Sequence, residues 1–510
     1  MHLATALLTA GIPLLPLLAG LLARGCSART AGRLTTAAAG GALVLLLAAA
    51  TGLPRLGPVG AGFAPGGRAE WFVGLRLDLV GTVVAGLIGY LGLHVLRYAR
   101  TCLAGDPRQA AFLSWLSLTL ACVLTLALAG SLALIALAWI ATSLCLHRLL
   151  LHHPERPGAV FAARKKFVVS RLADGCIAAG FVLLARHYGT GELTALFAAA
   201  AGDTGPLPAA GLLLVAGAAL KSAQFPFHSW LPDTMETPTP VSAFMHAGIV
   251  NAGGFLLVRL SPLLVHAPAA LALLALVGAL TAAFGAIVML AQPGVKRALA
   301  YSTVAQMGFM LLQCGLGAFP LALLHLAAHS LYKAHAFLHA GSTVGRPPRA
   351  ALRLPVPALG LGLLAGGLAV AGAATLWSAL LPEASAPPVV LALIPALAAA
   401  YGIARAWASD RGWRTAVAGA AAAAGFALGG LGLHAAALGW FQALPRPEAP
   451  PAVVATVAAI FGALFAFQAL LWHARRQPVG RRLYVHALNG FYIGTAANRL
   501  LGRLWPRAAG

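Results

Sequence analysis

The sequence contains little charge, and acidic residues are its rarest charged type. Of 510 residues, 12 are Asp or Glu and 35 are Lys or Arg, and charged residues together make up 9% of the chain. A soluble domain carries about 25% charged residues, so there are too few here to cover a surface that faces water. This scarcity excludes an ordinary soluble enzyme or binding domain and predicts a chain whose surface mostly faces lipid.

Cysteine is also scarce, and no cysteine pair has metal-binding spacing. The six cysteines are scattered, and none forms a Cys-x-x-Cys motif. We interpret them as small buried hydrophobic residues and not as zinc ligands or disulfides. The first residues lack a positively charged segment and a convincing cleavage site, so we interpret residues 3–23 as a retained first span and not as a signal peptide.

Apolar sequence is abundant. Hydrophobic residues make up 60% of the chain, and its mean hydropathy is +0.85. Apolar runs of about 18 or more residues can each cross roughly 30 Å of hydrocarbon, and they are continuous, which excludes a β-barrel. We predict an all-α polytopic membrane protein with about 13 to 15 spans. The predicted spans are 3–23, 34–52, 75–98, 111–129, 131–150, 166–187, 207–226, 240–260, 268–290, 295–317, 319–343, 356–380, 388–408, 413–437 and 452–473.

The basic residues lie in clusters between the apolar runs. No nucleic-acid-binding motif accompanies them, so the net charge of +23 fits the positive-inside rule and no nucleic-acid partner is expected. The connections after the first, third and fifth spans share one side, which is predicted to be cytoplasmic, with the N-terminus outside. Their basic residues are Arg24, Arg29 and Arg33; Arg97, Arg100 and Arg108; and Arg148, Arg156, Arg164, Lys165 and Lys166.

The segment that follows Lys221 predicts a broken helix at membrane depth. Lys221 ends a long apolar run, and Pro226, Pro232, Pro238 and Pro240 follow it. Proline breaks helices, and broken backbone at this depth is tolerated only inside protein or beside a water-filled cavity. Such discontinuous helices mark ion pathways in transporters, and a lysine there can exchange protons near neutral pH. The alternative is a lysine that snorkels to the membrane interface.

A second polar group lies on one helical face. His325, His329 and Lys333 recur every four residues, and His335 and His339 form another pair at this spacing. Histidines four residues apart can bind metal, but no carboxylate or cysteine lies nearby to complete a site. A proton relay is therefore favoured over a metal site, with ordinary core histidines as the alternative.

Two further charged pairs leave structural and functional interpretations open. Arg171 and Asp174 share a helical face and can reduce each other's cost of burial. Lys296 and Arg297 are either anchors at a helix end or an inner relay group.

The C-terminal tail is too polar to span a membrane. It mixes arginines with Tyr484, Phe491 and Tyr492, which is typical of a segment that lies at the interface or docks a partner.

The polar segments resemble the motifs of one family in the expected order. "KSAQFPFHSWLPDTMETPTPVSAFMHAG" resembles the signature of the antiporter-like proton-translocating subunits of respiratory complex I and Mrp cation/proton antiporters. "VKRALAYSTVAQMGFM" and "HLAAHSLYKAHAFLHAGS" resemble their next two motifs. The resemblance implies two inverted five-helix repeats, each with a discontinuous helix. It implies a proton pathway of Lys221, His246, Lys296, His325, His329 and Lys333.

On this resemblance we divide the chain into four parts. Residues 1–110 hold the N-terminal spans, and 111–290 form the first repeat, with its broken helix near 221–240. Residues 291–437 form a second, degenerate repeat, and 438–510 hold the last span and an amphipathic tail.

Two departures from the complex I-type pattern narrow the family. Ile140 follows Trp139 where those subunits carry a glutamate that pairs with the central lysine, and Trp377 and Ser378 stand where the second repeat carries its own lysine. Another carboxylate must therefore balance Lys221 if any does. The candidates are Asp174, Asp233 and Glu236.

In these two departures the sequence resembles the DabB-type membrane subunits of DAB inorganic-carbon transporters. Two segments resemble the same subunits: "AWIATSLCLHRLLLHHPERPGAVFAARKKFVVSRLAD" and "HALNGFYIGTAANRL". The resemblance implies a bacterial inner-membrane protein and a DabA-type partner, a large soluble zinc protein that resembles β-carbonic anhydrases. Proton or other cation flow would drive hydration of CO2 to bicarbonate on that partner. We expect no metal, cofactor or catalytic residue in this chain. The alternatives are a proton- or sodium-translocating subunit of a complex I-like or Mrp-like assembly, and an inert membrane anchor.

Overall fold

The structure is a computed structural model that describes residues 2–343, 412–474 and 477–505, with a few isolated positions between 344 and 411. The predicted spans 356–380 and 388–408, with Trp377 and Ser378, lie outside the described residues or largely so. The helices before the break are α1 (His2–Ala23), α2 (Ala28–Ala50), α3 (Leu53–Leu56), α4 (Leu79–Cys102), α5 (Gln109–Ala127), α6 (Leu132–Leu150), α7 (Pro157–Tyr188), α8 (Leu193–Gly202) and α9 (Leu207–Lys221).

The remaining described helices follow Lys221, and the first of them lies inside the proline-rich segment. They are α10 (Trp230–Asp233), α11 (Thr239–Ala247), α12 (Ala252–Arg259), α13 (Ser261–Leu264), α14 (Pro268–Ala291), α15 (Val295–Gly315), α16 (Phe319–Leu338), α17 (Gly412–Trp440), α18 (Pro451–Ala474), α19 (Pro478–Leu488) and α20 (Ile493–Leu504). Within the described ranges, nine helical segments are long and apolar enough to cross a membrane. The predicted class, an all-α polytopic membrane protein, is confirmed.

A small hairpin on one side of the bundle was not predicted. Strand β1 (Val59–Phe63) pairs antiparallel with β2 (Val73–Leu77), with Val59 opposite Leu77. The span predicted to begin at residue 75 therefore begins at Leu79 instead. Asp78 sets this boundary, because its Oδ1 accepts a hydrogen bond of 2.8 Å from the Gly81 N–H and caps the helix.

Small residues bring helices α14 and α15 into backbone contact. A Cβ atom added to Gly308 would lie 2.5 Å from the Ala282 nitrogen, and one added to Gly278 would lie 2.5 Å from the Leu312 nitrogen. Close approach through small residues is the usual way in which helices associate in lipid, where no hydrophobic gain is available. This packing fixes α15 beside the broken segment.

Helix α7 begins nine residues earlier than predicted, at Pro157 in place of residue 166. Proline fits the first helical position, since its missing N–H has no intrahelical acceptor there. As a result Lys165 and Lys166 lie inside a helix and not in a loop. Both side chains are buried.

Candidate functional site

The helix breaks where the sequence predicted. Helix α9 ends at Lys221, and the chain continues irregularly, with the Phe225–Pro226 bond in cis, before short turns lead into α11. The Phe225 N–H donates to Thr281 Oγ1 at 3.0 Å, and Ser222 Oγ donates to the Val250 carbonyl at 2.8 Å. Protein side chains thus satisfy the interrupted backbone, as membrane depth requires.

Lys221 is buried against the preceding half of the bundle. Its Nζ lies 3.5 Å from the Trp139 carbonyl oxygen and 4.6 Å from the centroid of the Trp139 ring. The ring face attracts the ammonium group, and the carbonyl accepts a long hydrogen bond from it. These two contacts of Lys221 come from α6, in the helical turn where Ile140 follows Trp139.

Asp174 is the candidate carboxylate that belongs to the Lys221 cluster. Of the three candidates, Asp174 on α7 interacts electrostatically with Lys221, and it does so together with Arg171. Asp233 is bound to Lys165, and Glu236 is exposed.

The Arg171–Asp174 ion pair leaves the carboxylate open to further contacts. Arg171 Nη2 lies 2.6 Å from Asp174 Oδ2, so the two side chains lie on the same face of α7. Among the described residues, Asp174 Oδ1 has no hydrogen-bond partner. The carboxylate therefore keeps lone pairs for water or for the Lys221 ammonium group.

Lys166 belongs to this cluster, although the sequence analysis placed it in a loop. Its Nζ donates to the Ser143 carbonyl at 2.7 Å and to Ser143 Oγ at 2.8 Å, and its charge acts on Lys221, Arg171 and Asp174. The site near Lys221 thus holds three basic groups and one carboxylate. The signal that could have found Lys166 is Pro157, which marks a helix start more than two turns earlier.

A second cluster joins the distal half of the broken helix to α16. The His246 ring is fully buried and stacks on the Phe337 ring with centroids 4.5 Å apart. His329 reaches the backbone of His246, and the Lys333 charge acts on both imidazoles. Lys333 Nζ donates to the Leu299 carbonyl at 3.1 Å. The structure therefore brings His246, His329 and Lys333 together, as the resemblance implies.

His325 lies at the far end of this row, between two glutamines. Its Nδ1 lies 2.8 Å from Gln313 Oε1, and its Nε2 lies 2.8 Å from Gln306 Oε1. The His325 and His329 rings are 6.1 Å apart. Sequence reasoning missed both glutamines, because an uncharged residue in an apolar run gives no signal of a binding partner 12 or 19 residues away.

Lys296 lies at the other end of the row. It occupies the first turn of α15 and is half-buried, one turn before Leu299, whose carbonyl accepts from Lys333. This position is the end of a helix and not the middle of a span. Both open interpretations, an anchor and an inner relay group, are compatible with it.

The C-terminal tail folds back onto the chain at the end of the broken segment that carries Asp233. Lys165 Nζ donates to Asp233 Oδ2 at 2.7 Å and to Asn498 Oδ1 of α20 at 2.6 Å. The tail also contacts α14 and its end, where Gln292 Nε2 donates to the Leu488 carbonyl at 3.0 Å. Helix α20 therefore covers one end of the broken segment.

The three aromatic residues predicted to dock a partner lie on this tail. Tyr484 Oη lies 3.4 Å from the Ala291 carbonyl, and the Phe491 ring packs on Phe284 with centroids 6.0 Å apart. Tyr492 packs on the His486 ring at 5.5 Å. Each of the three keeps more than a third of its surface exposed.

The opposite end of the broken segment is held by a second ion pair. Arg259, the last residue of α12, bonds to Asp78 Oδ2, which also accepts from Arg76 Nε at 3.0 Å. Burial would raise the pKa of the Asp78 carboxyl, but Arg259, the Gly81 N–H and Arg76 together hold this pKa below its usual range. Both ends of the broken segment are thus fixed by charged pairs.

Comparison with known proteins places this geometry in a family. The family model of the transmembrane region of NADH:quinone oxidoreductases and Mrp antiporters matches residues 129–354. A probable inorganic carbon transporter subunit DabB2 from Halothiobacillus neapolitanus is 38% identical over 465 residues, which cover 89% of this chain and 84% of that protein. NADH-quinone oxidoreductase subunit L from Mycobacterium tuberculosis is 38% identical over 284 residues, with 55% of this chain and 45% of that protein covered.

A solved structure has the same fold. A chain in the Mrp complex from Dietzia sp. DQ12-45-1b superposes with a TM-score of 0.66 over 99% of this chain and 61% of that one, at 24% identity. Together with the long apolar helices, this similarity confirms a multi-pass membrane protein with an antiporter-like fold. The identity and coverage of the Halothiobacillus relative show that the chain belongs to the DabB family of inorganic carbon transporter subunits, within the antiporter-like superfamily.

Proposed function

We propose that this chain conducts protons across a bacterial inner membrane, with its N-terminus outside, to energise hydration of CO2 to bicarbonate on a soluble zinc partner that resembles β-carbonic anhydrases. The observation that carries the proposal is where the lysines lie. The 35 basic residues comprise 30 arginines and only five lysines. All five lysines are buried or half-buried, and they lie on α9 or on helices that contact the broken segment. The five are Lys165, Lys166, Lys221, Lys296 and Lys333.

Arginine and lysine differ in whether they release a proton. The guanidinium group stays charged in proteins, whereas a buried lysine readily exchanges its proton. Among the described residues, only Lys165 has a carboxylate within salt-bridge distance. A chain that uses arginine for most of its basic residues and keeps lysine at this site has the residue type that proton exchange requires.

The charge balance near Lys221 also favours proton exchange. Lys166, Lys221 and Arg171 share one carboxylate, Asp174, in a buried cluster. Two uncompensated positive charges in such a place are costly. Release of a proton from one lysine removes part of that cost, and its return restores the charge, so the cluster suits a group that alternates between two protonation states.

The rest of the pathway follows the two polar clusters. From Lys221, the proton would pass to His246, His329 and Lys333, with Lys296 and His325 at the two ends of the row. Internal water would bridge the gaps between these groups, since buried polar atoms such as both ring nitrogens of His246 lack a protein partner in the described part of the chain.

The partner would dock on the C-terminal tail. Tyr484, Phe491 and Tyr492 offer exposed aromatic surface there, and aromatic residues are enriched in protein interfaces. The same tail contacts Lys165 through Asn498. In this proposal catalysis and its zinc belong to the partner, and this chain contributes no cofactor or catalytic residue.

A second candidate is a proton- or sodium-translocating subunit of a complex I-like or Mrp-like assembly. It is favoured by the 38% identity to NADH-quinone oxidoreductase subunit L over 284 residues. Ile140 stands where complex I-type subunits carry a glutamate, and this difference counts against the second candidate.

One experiment separates the two candidates. The chain is purified gently from its native membrane, the proteins that accompany it are identified, and their zinc is measured. We expect one large zinc-bearing protein, and we expect the pair to restore growth in air of a bacterial host that lacks carbonic anhydrase. The Lys221→Ala variant should still bind that protein but should not restore growth. Co-purification with quinone-reductase or antiporter subunits in place of a zinc protein would overturn the proposal.

A further inference from the structure

Two loops at one end of the bundle bring metal-ligating side chains together, away from the proposed proton path. Asp106 lies in the loop between α4 and α5, and His152 and His153 lie in the loop between α6 and α7. One ligand atom from each of the three residues lies within 4.8 Å of the other two. His152 Nε2 is 2.9 Å from Asp106 Oδ2. Residues 46 positions apart in the sequence thus share one small site.

A further carboxylate lies beside these three residues. Glu155 Oε1 lies 3.1 Å from His153 Nδ1. Two imidazole nitrogens and two carboxylate oxygens form a donor set that suits zinc and related divalent transition metals. With zinc–ligand distances of about 2.0–2.1 Å, neighbouring donors in a tetrahedral site lie about 3.3 Å apart. The two contacting pairs have about this spacing, and the donor atoms of Asp106, His152 and His153 lie within 4.8 Å of one another, whereas Glu155 contacts His153 from outside that group.

Arg108 holds the outer atoms of both carboxylates. Its backbone N–H donates to Asp106 Oδ1 at 2.7 Å, and its Nη1 donates to Glu155 Oε2 at 3.2 Å and to the His152 carbonyl at 2.9 Å. Asp106 Oδ2 and Glu155 Oε1 are left facing the histidines. Outer contacts of this kind orient the ligands of metal sites.

His152 anchors the site in the protein, whereas His153 and Glu155 are 25% and 56% exposed. The His152 side chain is only 4% exposed, and its ring packs edge-on against Phe112 at 4.9 Å. Ordering two long side chains on an open surface costs entropy, whereas here the burial of His152 has already fixed one ligand before any ion binds. A preformed ligand lowers the cost of binding.

The chain also contains an ordinary histidine–carboxylate pair for comparison. His187 Nε2 lies 2.6 Å from Asp203 Oδ2, but both side chains are more than a third exposed. In the described part of the chain, no third His, Cys, Asp or Glu completes a metal-binding group with them. This pair has the same chemistry as His152 and Asp106 without the convergence of further donors.

We propose that Asp106, His152 and His153 bind one divalent transition-metal ion of the zinc type, with the neighbouring Glu155 carboxylate closing on the ion as a fourth ligand, so that the ion joins the α4–α5 loop to the α6–α7 loop. The ion is structural and separate from any zinc on a catalytic partner. It ties together two loops that lead into α5 and α7, and α7 carries Lys165, Lys166 and Asp174. The site is a prediction about this chain alone and does not depend on which ion the chain transports.

The test uses the full-length chain in detergent, treated with a chelator and transferred to metal-free buffer. Zinc chloride alone is titrated by calorimetry, and the retained metal is counted by mass spectrometry. We expect about one tight zinc site per chain, weakened by at least about tenfold in His153→Ala and in Asp106→Asn. The matched control, His187→Ala, should bind zinc like the wild type. Asp106→Asn preserves side-chain shape, so it keeps the test valid if the alanine variant folds poorly.

Co²⁺ provides a second readout, because its visible absorption reports tetrahedral coordination. The wild type and His187→Ala should give a tetrahedral Co²⁺ spectrum that His153→Ala lacks. The proposal is overturned if the wild type retains no zinc, or if His153→Ala and Asp106→Asn bind zinc as tightly as the wild type. Equal loss in His187→Ala would likewise show only weak binding to surface histidines.

Discussion

Replacement of Lys221 by arginine tests whether the site needs a positive charge or a proton that can leave. Lys221→Arg keeps the charge, and a guanidinium group can still stack on the Trp139 ring 4.6 Å away and donate to the Trp139 carbonyl. The two residue types differ by about 3.4 units in reference pKa, which is about 4.6 kcal/mol. The neutral form of the side chain therefore becomes about 2,500-fold rarer.

We expect Lys221→Arg to fold and to lose proton flux almost completely. The assay is uptake of protons into vesicles that contain the purified chain with its partner, followed by a pH-sensitive dye. Lys165→Arg is the matched control, because Lys165 is ion-paired with Asp233 and is not part of the proposed pathway. Flux within a few-fold of the wild type in Lys221→Arg, with normal folding, would refute the idea that Lys221 releases protons.

Three further predictions concern the partners of these charges. Asp174→Asn should lower proton flux by about tenfold, because loss of about 1.4 kcal/mol of charge stabilisation shifts the protonation equilibrium of Lys221 by that factor. Unchanged proton flux into vesicles would exclude Asp174 as the partner of Lys221. Asn498→Ala removes the tail contact to Lys165 and should reduce proton flux or partner binding. Asn489→Ala is the control, because the Asn489 side chain donates to the Val485 carbonyl within the tail, and it should change neither. Equal effects of the two variants in co-purification and flux assays would show a general defect of the tail. Asp78→Asn should lower stability at pH 7 by about 3 kcal/mol, because it leaves Arg259 buried without a counter-charge. The lowered pKa of Asp78 means that this stabilisation is present above about pH 3.8 and is lost as the pH falls through the folded-state pKa, so thermal unfolding of wild type and variant should converge in acid.

The sequence alone predicted the membrane class and the polar segments, for a physical reason. Membrane spans are set by local hydropathy, and an isolated lysine or proline in an apolar run is costly enough to be visible without a partner. The break after Lys221 and the shared face of Arg171 and Asp174 are such local features. The predicted start of α4 was wrong because residues 73–77 pair with a strand that hydropathy does not reveal.

The tertiary structure decided which groups meet. It placed Asp174 and Lys166 in the Lys221 cluster and set Gln306 and Gln313 on either side of His325. Each of these contacts joins residues on different helices, so it depends on how the helices pack and not on local spacing. The Asp106–His152 contact crosses two loops in the same way. Hydropathy and periodicity describe one helix at a time, and the chemistry of this protein arises where several helices converge.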